Sequence, residues 1–286
     1  MAMFTKVLLT VDFDRTLTAP DSSIPQRNLE AIRWFMENGG AFTVNTGRST
    51  NTFGPYLKTI PVNAPFLLYN GSAAYENGVL TQCHTIDLDL WTVMDRMRRL
   101  FPDMNLEIQG MQTHYLVEET PEYAAFYDSL GWGHEPALRD ADMGPFIKFT
   151  LFGKTTEANV GHLFYGSPEE LAQFDRAEET IRAMYPDQVE VFRAAPRIID
   201  VHAKGVSKIR AARELQARLG RTILVCVGDA ENDLTMLEGA DYAFCPADGV
   251  VADRFPNVCP CGEGAVADVI YKKIPEILEL SLDIDR

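Results

Sequence analysis

The chain has 286 residues, 46% of them hydrophobic and 23% charged, a composition that excludes a disordered chain, a collagen and a coiled coil. This length predicts one large domain or two. Asp and Glu number 41 against 26 Lys and Arg, and the net charge of −15 disfavours nucleic-acid binding.

The first part of the chain alternates short apolar runs with a helical pattern. Residues 6–11 predict a strand that is buried on both faces, and apolar side chains at helical spacing predict a helix over 28–38. Further strands are predicted at 41–45 and 66–69. Asn77 and Gly78 predict a tight hairpin turn after them.

A second alternating unit is predicted in the middle of the chain. Its helices are expected at 88–101, 121–130 and 168–185, and its strands at 106–108, 114–118, 146–152, 189–192 and 197–202. The first pattern resumes with Ser207 as the N-cap of a helix that runs to 219, followed by a buried strand at 222–227.

The predicted fold class is α/β, with a Rossmann-like, mainly parallel sheet as core and an inserted α/β unit. The core is expected to comprise residues 1–82 and 201–286, and the insertion residues 83–200. No apolar run approaches the ~18–20 residues that cross a bilayer, and residues 7–11 are too short for a signal peptide. The five cysteines lack framework spacing, so we expect reduced thiols and a cytoplasmic protein without membrane or nucleic-acid partners.

Polar side chains follow three of the predicted core strands, at the strand ends where parallel α/β sheets bind ligands. They are Asp12 and Asp14 after the first strand, Thr46, Gly47 and Arg48 after the second, and Asp229, Asn232 and Asp233 after the last. Lys208, at the start of the helix before the last strand, is the expected cation of this site. Lys204 is the weaker alternative.

Asp12 and Asp229 would supply only oxygen ligands, and such ligands favour Mg²⁺ as the bound ion. Without a cation, two carboxylates ~4 Å apart would repel each other by ~4 kcal/mol at an effective dielectric constant of ~20. Mg²⁺ and one lysine would also offset the charge of roughly −2 on a phosphate monoester. Mg²⁺ is therefore the expected cofactor, and an acidic protein with this site can hold a dianionic phosphate monoester.

Phosphoryl transfer assigns a role to each of these groups. Asp12 is the candidate nucleophile, which forms an aspartyl-phosphate. Asp14 is the candidate general acid for the leaving alcohol and then the base that activates water. Lys208 would neutralise charge that develops on the transferred group.

The remaining candidates would bind the substrate or orient the site. Thr46 and the Gly47 amide would hold phosphoryl oxygens. Arg48 either contacts the substrate or pairs with an acidic surface residue. Asn232 and Asp233 could orient the metal ion, its waters or the lysine.

Residues 12–18, 46–48, 208 and 228–233 resemble, in order, the four motifs of the haloacid dehalogenase-like hydrolases. The resemblance implies an Mg²⁺-dependent phosphatase of small phosphorylated metabolites, often sugar phosphates. It also implies that the backbone carbonyl of Asp14, rather than its side chain, ligates the metal.

Residues 68–73 and 205–208 look like the Cof-type branch of this family, whose members carry a large α/β cap inserted after the third core strand. By this resemblance the inserted unit is a cap that governs substrate choice. Arg15 and Ile209 stand where the family commonly has glycine.

Three functions agree with these residues. The leading one is a phosphatase; a phosphomutase would pass the aspartyl-phosphate to another hydroxyl, and a non-catalytic binder would only hold a phosphorylated ligand. A monomer or a homodimer is expected. The histidines lack metal-ligand spacing and are expected to pack in the core or lie at the surface: His84, His114, His134, His162 and His202.

Overall fold

The structure is a computed structural model that describes residues 2–155 and 165–284, with side chains through residue 280. The chain divides into two compact units. The first unit comprises Met1–Gly47, Pro55–Thr81 and Ser207–Arg286, and the second comprises Arg48–Gly54 and Gln82–Val206. The second unit thus takes Arg48–Gly54, Gln82 and residues 201–206 from stretches that the sequence analysis assigns to the core.

Each predicted strand and helix is present within a few residues of its expected ends. The strands of the described residues are β1 (Val7–Val11), β2 (Ala41–Val44), β3 (Phe66–Leu68), β4 (Ala73–Glu76), β5 (Val79–Cys83), β6 (Met104–Gly110), β7 (His114–Val117), β8 (His134–Pro136), β9 (Phe146–Gly153), β10 (Val189–Ala195), β11 (Ile198–Ala203), β12 (Ile223–Val227), β13 (Tyr242–Pro246) and β14 (Asn257–Val258). The α-helices are α1 (Gln26–Glu37), α2 (Thr50–Phe53), α3 (Leu90–Leu100), α4 (Pro121–Ser129), α5 (Pro168–Met184), α6 (Lys208–Arg218), α7 (Leu234–Glu238), α8 (Ala265–Asp268) and α9 (Ile274–Ile284). None of the helices in the described residues is long and apolar enough to cross a membrane.

The first unit is built on a five-stranded sheet of order β14-β13-β12-β1-β2, in which every paired strand is parallel. All five residues of β1 are buried because the sheet is covered on both faces. Leu8 and Cys226 belong to one apolar cluster with Ala212 of α6 and Met236 of α7, while α1 contacts both β2 and α8. The α/β class and the parallel core predicted from the sequence are confirmed.

The predicted hairpin turn lies between β4 and β5. Asn77 and Gly78 have φ angles of 54° and 88°, the left-handed conformations that a two-residue hairpin with a primed turn requires. Strands β4 and β5, which this turn connects, form a small three-stranded sheet with β3, in the order β3-β4-β5.

The second unit contains a six-stranded sheet of order β10-β11-β9-β6-β7-β8, antiparallel except between β7 and β8. Side chains alternate between its two faces. One face is apolar, and Ile108, Phe149 and Val201 cluster there with Met97 of α3 and Phe174 of α5. This face forms the unit's hydrophobic core.

The opposite face of this sheet carries a row of buried polar side chains that face one another across paired strands. They are Glu107, Gln109, His114, Lys148, Thr150, Asp200 and His202. Asp200 accepts hydrogen bonds from Lys148 Nζ and from Thr150 Oγ1, both at 2.8 Å. These charges are tolerated in the interior because partners of opposite charge and hydrogen-bond donors lie within reach.

Glu107 is the most strongly perturbed acid of this polar face. Its Oε1 lies 2.5 Å from His114 Nδ1, and its Oε2 accepts a 3.0 Å hydrogen bond from Gln109. Burial alone would raise the pKa of Glu107, but the charges of His114 and Lys148 and the hydrogen bonds outweigh it and lower the pKa to about 2. The carboxylate is therefore ionised at all physiological pH values.

This lowered pKa predicts an acid-sensitive contribution to stability. The contribution is complete above the unfolded-state pKa of 4.5 and is lost as the pH falls from there towards 2. Between these limits the wild-type protein should lose more unfolding free energy than Glu107→Gln, by an amount of the order of 3 kcal/mol. Urea unfolding of both proteins at several pH values measures this difference. Parallel pH profiles would contradict it.

Candidate active site

The candidate groups of the first unit collect where parallel strands of its sheet end. Asp12 directly follows β1, Thr46 follows β2 after one residue, and Asp229 follows β12 after one residue. The Asp12 amide donates to the Val227 carbonyl at 2.8 Å, so the ends of β1 and β12 stay in register. Because the strands are parallel, their carboxyl ends share one edge of the sheet.

A sharp turn follows Asp12. Asp14 has extended backbone angles (φ −71°, ψ 125°), and Arg15 has a left-handed φ of 58°. The Arg15 amide donates to Thr18 Oγ1 at 3.1 Å, and the Thr18 amide donates to the Phe13 carbonyl at 3.0 Å. These bonds hold Asp14 half-buried and leave Arg15 exposed in a conformation that costs a non-glycine residue of the order of 1–2 kcal/mol.

Lys208 is the buried cation of the site. Ser207 caps α6 by accepting a hydrogen bond from the Arg210 amide, and Lys208 is the first residue of the helix. Lys208 is 1% exposed, and its Nζ donates to Asp12 Oδ1 and to Asp233 Oδ1, both at 2.6 Å. Lys204, by contrast, pairs with Glu190 at 3.3 Å within the second unit, so Lys208 is the lysine of this cluster.

Asp233 orders the loop after β12. Its Oδ2 accepts hydrogen bonds from the amides of Asp229 and Ala230 at 3.0 and 3.2 Å, while its Oδ1 accepts from Lys208. A Cβ atom at Gly228 would lie 2.7 Å from the Asp233 Cβ, so this close approach requires glycine. Both Asp233 oxygens are thus engaged in holding the loop and the lysine.

Three carboxylates converge in this cluster. Asp12, Asp229 and Asp233 each offer an oxygen, and the three atoms lie within 4.8 Å of one another. Burial raises the pKa of Asp12 well above its usual value, and the nearby Asp233 charge adds to the effect. The same two causes raise the pKa of Asp229 to about 7, although Thr16 Oγ1 donates to its Oδ1 at 3.1 Å.

Burial is the main cause of these raised pKa values, and repulsion from Asp233 adds to it because Lys208 does not offset three carboxylates. A divalent cation would offset the remaining negative charge, and oxygen donors suit a hard ion such as Mg²⁺. Asp12 and Asp229 are the side chains with oxygens available to hold it. The donor set therefore fits a divalent metal.

The loop after β2 is braced from β3. The Thr46 amide donates to the Leu67 carbonyl, and the Asn70 amide donates to the Thr46 carbonyl, both at 2.9 Å. A Cβ atom at Gly47 would lie 2.9 Å from Asn70 Oδ1, so a larger residue here would displace the Asn70 side chain. The sequence analysis did not include Asn70 or Thr16 among the site residues. Thr16 lies within the motif segment 12–18 and Asn70 within the segment 68–73, and these positions could have indicated them.

Two predicted site residues lie outside the carboxylate–lysine cluster. Arg48 begins the segment Arg48–Gly54 of the second unit, where its Nη1 donates to the Thr52 carbonyl at 3.3 Å. Asn232 is half-buried in the turn Glu231–Asp233 and makes no hydrogen bond to any residue that the structure describes. Their predicted roles in substrate binding remain predictions.

The histidines take no part in the acidic cluster formed by the described residues. His114 and His202 are buried on the polar face of the second unit's sheet. His162 lies outside the described residues.

Comparison with known proteins gives a consistent result. A family model described as haloacid dehalogenase-like hydrolase matches residues 9–251. The 5-amino-6-(5-phospho-D-ribitylamino)uracil phosphatase YitU of Bacillus subtilis is 23% identical over 260 residues, covering 86% of this chain and 88% of that protein. The uncharacterized hydrolase C215.10 of Schizosaccharomyces pombe is 23% identical over 288 residues, covering 93% of this chain and 90% of the relative.

Solved structures share the whole fold. SMU.1108c from Streptococcus mutans matches with a TM-score of 0.77 at 18% identity, covering 94% of this chain and 99% of its own. The HAD subclass IIB sugar phosphatase BT4131 matches with a TM-score of 0.74 at 19% identity, with the same two coverages. At these identities the likeness establishes the fold alone.

Proposed function

Because the chain belongs to the haloacid dehalogenase-like hydrolases, we propose that it is an Mg²⁺-dependent phosphatase of small phosphorylated metabolites, sugar phosphates in particular. The observation that supports this most is the Lys208 ammonium group, held 2.6 Å from both Asp12 and Asp233 beside Asp229. A protein that merely binds phosphate needs the lysine but no buried carboxylate placed against it. The cluster has the parts of a phosphoryl-transfer site.

The residues that would hold Mg²⁺ are Asp12, Asp229 and the backbone carbonyl of Asp14. When bound, the ion would neutralise the carboxylates and polarise a phosphoryl oxygen. Both carboxylates must be ionised to act as ligands, and a bound cation would lower the pKa values that burial raises at Asp12 and Asp229.

In the proposed first step an Asp12 carboxylate oxygen forms a bond to phosphorus while the bond from phosphorus to the leaving oxygen breaks. Asp14 gives its proton to that oxygen, so the product leaves as an alcohol. Asp14 then takes a proton from water, whose oxygen attacks the aspartyl-phosphate. Inorganic phosphate leaves and the Asp12 carboxylate is restored.

The remaining side chains would bind and select the substrate. Thr46 and the Gly47 amide hold phosphoryl oxygens, and Lys208 neutralises charge that develops on the transferred group. Arg48 and Asn232 contact the substrate. The second unit acts as the cap that selects the leaving group, and a cytoplasmic setting is supported by five cysteines that are all free thiols.

A panel of sugar phosphates, phosphorylated cofactors and nucleotides, assayed with and without Mg²⁺, tests this function. We expect release of inorganic phosphate from some of these compounds, and loss of at least about 100-fold in rate with excess EDTA. Mg²⁺ should also raise the thermal unfolding temperature, because it binds only the folded cluster of carboxylates.

The product distinguishes the alternatives. An isomerised sugar phosphate without free phosphate would indicate a mutase. Binding of phosphorylated compounds without any turnover would indicate a binder. Full activity in EDTA would contradict the metal requirement.

A further inference from the structure

The segment Arg48–Gly54 follows Thr46 and Gly47, which are proposed to hold phosphoryl oxygens, but it belongs to the second unit. The division between the units falls at the peptide bond between Gly47 and Arg48. The residues proposed to hold phosphoryl oxygens thus end one unit, and a cation proposed to bind the substrate begins the other. What fixes that cation is a question for the contacts of the second unit alone.

A chain of polar contacts leads from Arg48 into the sheet of the second unit. The Arg48 guanidinium donates to the Thr52 carbonyl at 3.3 Å. Thr52 and Ser49 cap α2 reciprocally, because the Thr52 amide donates to Ser49 Oγ and the Ser49 amide donates to Thr52 Oγ1, both at 3.1 Å. The position of the guanidinium therefore depends on the first turn of α2.

That turn is in turn fixed by His114 of β7. A 2.7 Å hydrogen bond joins Ser49 Oγ to His114 Nε2, and His114 Nδ1 lies 2.5 Å from Glu107 Oε1. The ionised Glu107 can only accept, and its close contact with Nδ1 restrains the orientation of the ring. Ser49 and His114 are each 1% exposed, and Glu107 is 3% exposed, so water does not compete for these bonds.

Two further contacts attach the same segment to the second unit. Asn51 makes a pair of hydrogen bonds with the backbone of Gly133, donating at 2.7 Å and accepting at 3.1 Å. Thr50 Oγ1 donates to the Met111 carbonyl at 3.2 Å. A helix of one turn does not persist on its own, so these side chains and Ser49, together with the buried Phe53, help to hold α2 in place.

We propose that Ser49 and His114 are positioning residues, which lock α2 to the sheet and thereby hold Arg48 ready for the anionic group of the substrate. The inference rests on the proposed function, because it takes Arg48 to bind the substrate. Neither Ser49 nor His114 touches the reacting atoms. Their loss raises KM by releasing Arg48 and leaves the chemical step at Asp12 intact.

The test compares Ser49→Ala with Ser129→Ala as a matched control. Ser129 is an exposed serine of the same unit whose Oγ donates a part-buried hydrogen bond of 2.7 Å to the Phe126 carbonyl at the end of α4. We expect Ser49→Ala to raise KM by about 5–30-fold with kcat within about threefold, since a charge-assisted contact to phosphate is weakened rather than removed. Ser129→Ala should leave KM unchanged.

The decisive comparison uses Arg48→Ala, which should raise KM by about 10–100-fold. In the Arg48→Ala background, Ser49→Ala should cause no further rise in KM, because the guanidinium that Ser49 positions is already absent. His114→Gln should behave like Ser49→Ala; if it does not fold, the Ser49 and Arg48 cycle decides the question alone. Equal effects of Ser49→Ala in both backgrounds would overturn the proposal.

Hydrogen exchange separates this inference from the proposed function. The peptide over residues 48–54 should exchange faster in Ser49→Ala than in the wild type or in Ser129→Ala, whatever the substrate. Unchanged exchange there would refute the anchoring. A wild-type protein that releases no phosphate from the panel would refute the proposed function instead, with the exchange result still standing.

Discussion

Replacing Asp12 with Asn is expected to lower kcat by about 10⁴-fold or more, because an amide does not replace the carboxylate nucleophile. The same change should leave the metal-free protein as stable as the wild type, or more stable. Burial and the neighbouring Asp233 charge raise the pKa of Asp12, so its ionised form is held at a cost in free energy when no divalent cation is present. The amide removes that charge and keeps an oxygen that accepts from Lys208.

Phosphate release at saturating substrate and thermal unfolding with and without Mg²⁺ measure these two effects. Asp21→Asn is the matched control, since Asp21 is fully exposed in the first unit and bonds only to nearby Ser23. Its turnover should equal that of the wild type. Retained turnover in Asp12→Asn would end the assignment of the nucleophile.

Asp14→Asn provides the complementary comparison. It keeps the proposed nucleophile but loses the group proposed to protonate the leaving oxygen and then to activate water. With an aryl phosphate, whose leaving group departs without a proton, the phosphorylated enzyme should therefore accumulate and add one phosphoryl group to the intact mass. Asp12→Asn should show no such adduct. An adduct in both variants would place the covalent intermediate on another residue.

Replacing Lys208 with Met is expected to have the opposite effect on stability. It removes the one ammonium group that faces Asp12 and Asp233, and breaking a buried ion pair in this way costs ~3–5 kcal/mol. Turnover should fall by about 10³-fold or more, because charge on the transferred group is no longer offset. Millimolar Mg²⁺ should restore part of the lost stability by binding the carboxylates that no longer face the lysine.

Lys204→Met is the control for this change. Lys204 is half-exposed and pairs with Glu190, so its replacement should alter stability by less than about 1 kcal/mol and leave turnover unchanged. Urea unfolding and phosphate release on both variants decide between the two lysines. A larger loss in Lys204→Met than in Lys208→Met would reverse the assignment.

Local signals account for the parts of the fold that the sequence predicts well. The unbroken apolar run of β1 indicates a strand covered on both faces, the Ser207 cap marks the start of α6, and Asn77 with Gly78 marks the hairpin. Each of these rules depends on residues only a few positions apart. Residues that are close in sequence therefore suffice to predict these three features.

Other features depend on partners that are remote in sequence. Strand β6 extends beyond the predicted 106–108. Gln109, which looks like a surface residue, is buried there and bonds to Glu107, which faces His114 of β7. Strand β8 was missed, since three residues ending in Pro136 carry no alternating pattern. Such strands are specified by the sheet that they join.

The site shows the same division. The motif residues Asp12, Asp229 and Lys208 could be named because each follows a strand or begins a helix at a recognisable place. For Asp233 the sequence left open whether it orients the metal ion, its waters or the lysine; in the structure one of its oxygens accepts from Lys208 and the other accepts from the loop amides. The grouping of Arg48–Gly54 with the second unit could not be predicted, because it depends on contacts with His114 and Gly133.

The position of β1 between β2 and β12 has a consequence for how the protein is made. Strand β12 leaves the ribosome roughly 200 residues after β1, which at ~5–20 residues per second is a delay on the order of 10–40 s. During that time one edge of β1 has no native neighbour, and the last strand of the second unit's sheet, β11, precedes β12 by only 20 residues (Ala203 to Ile223). Nascent chains of this protein should therefore depend on chaperones that shield an apolar strand until translation is nearly finished.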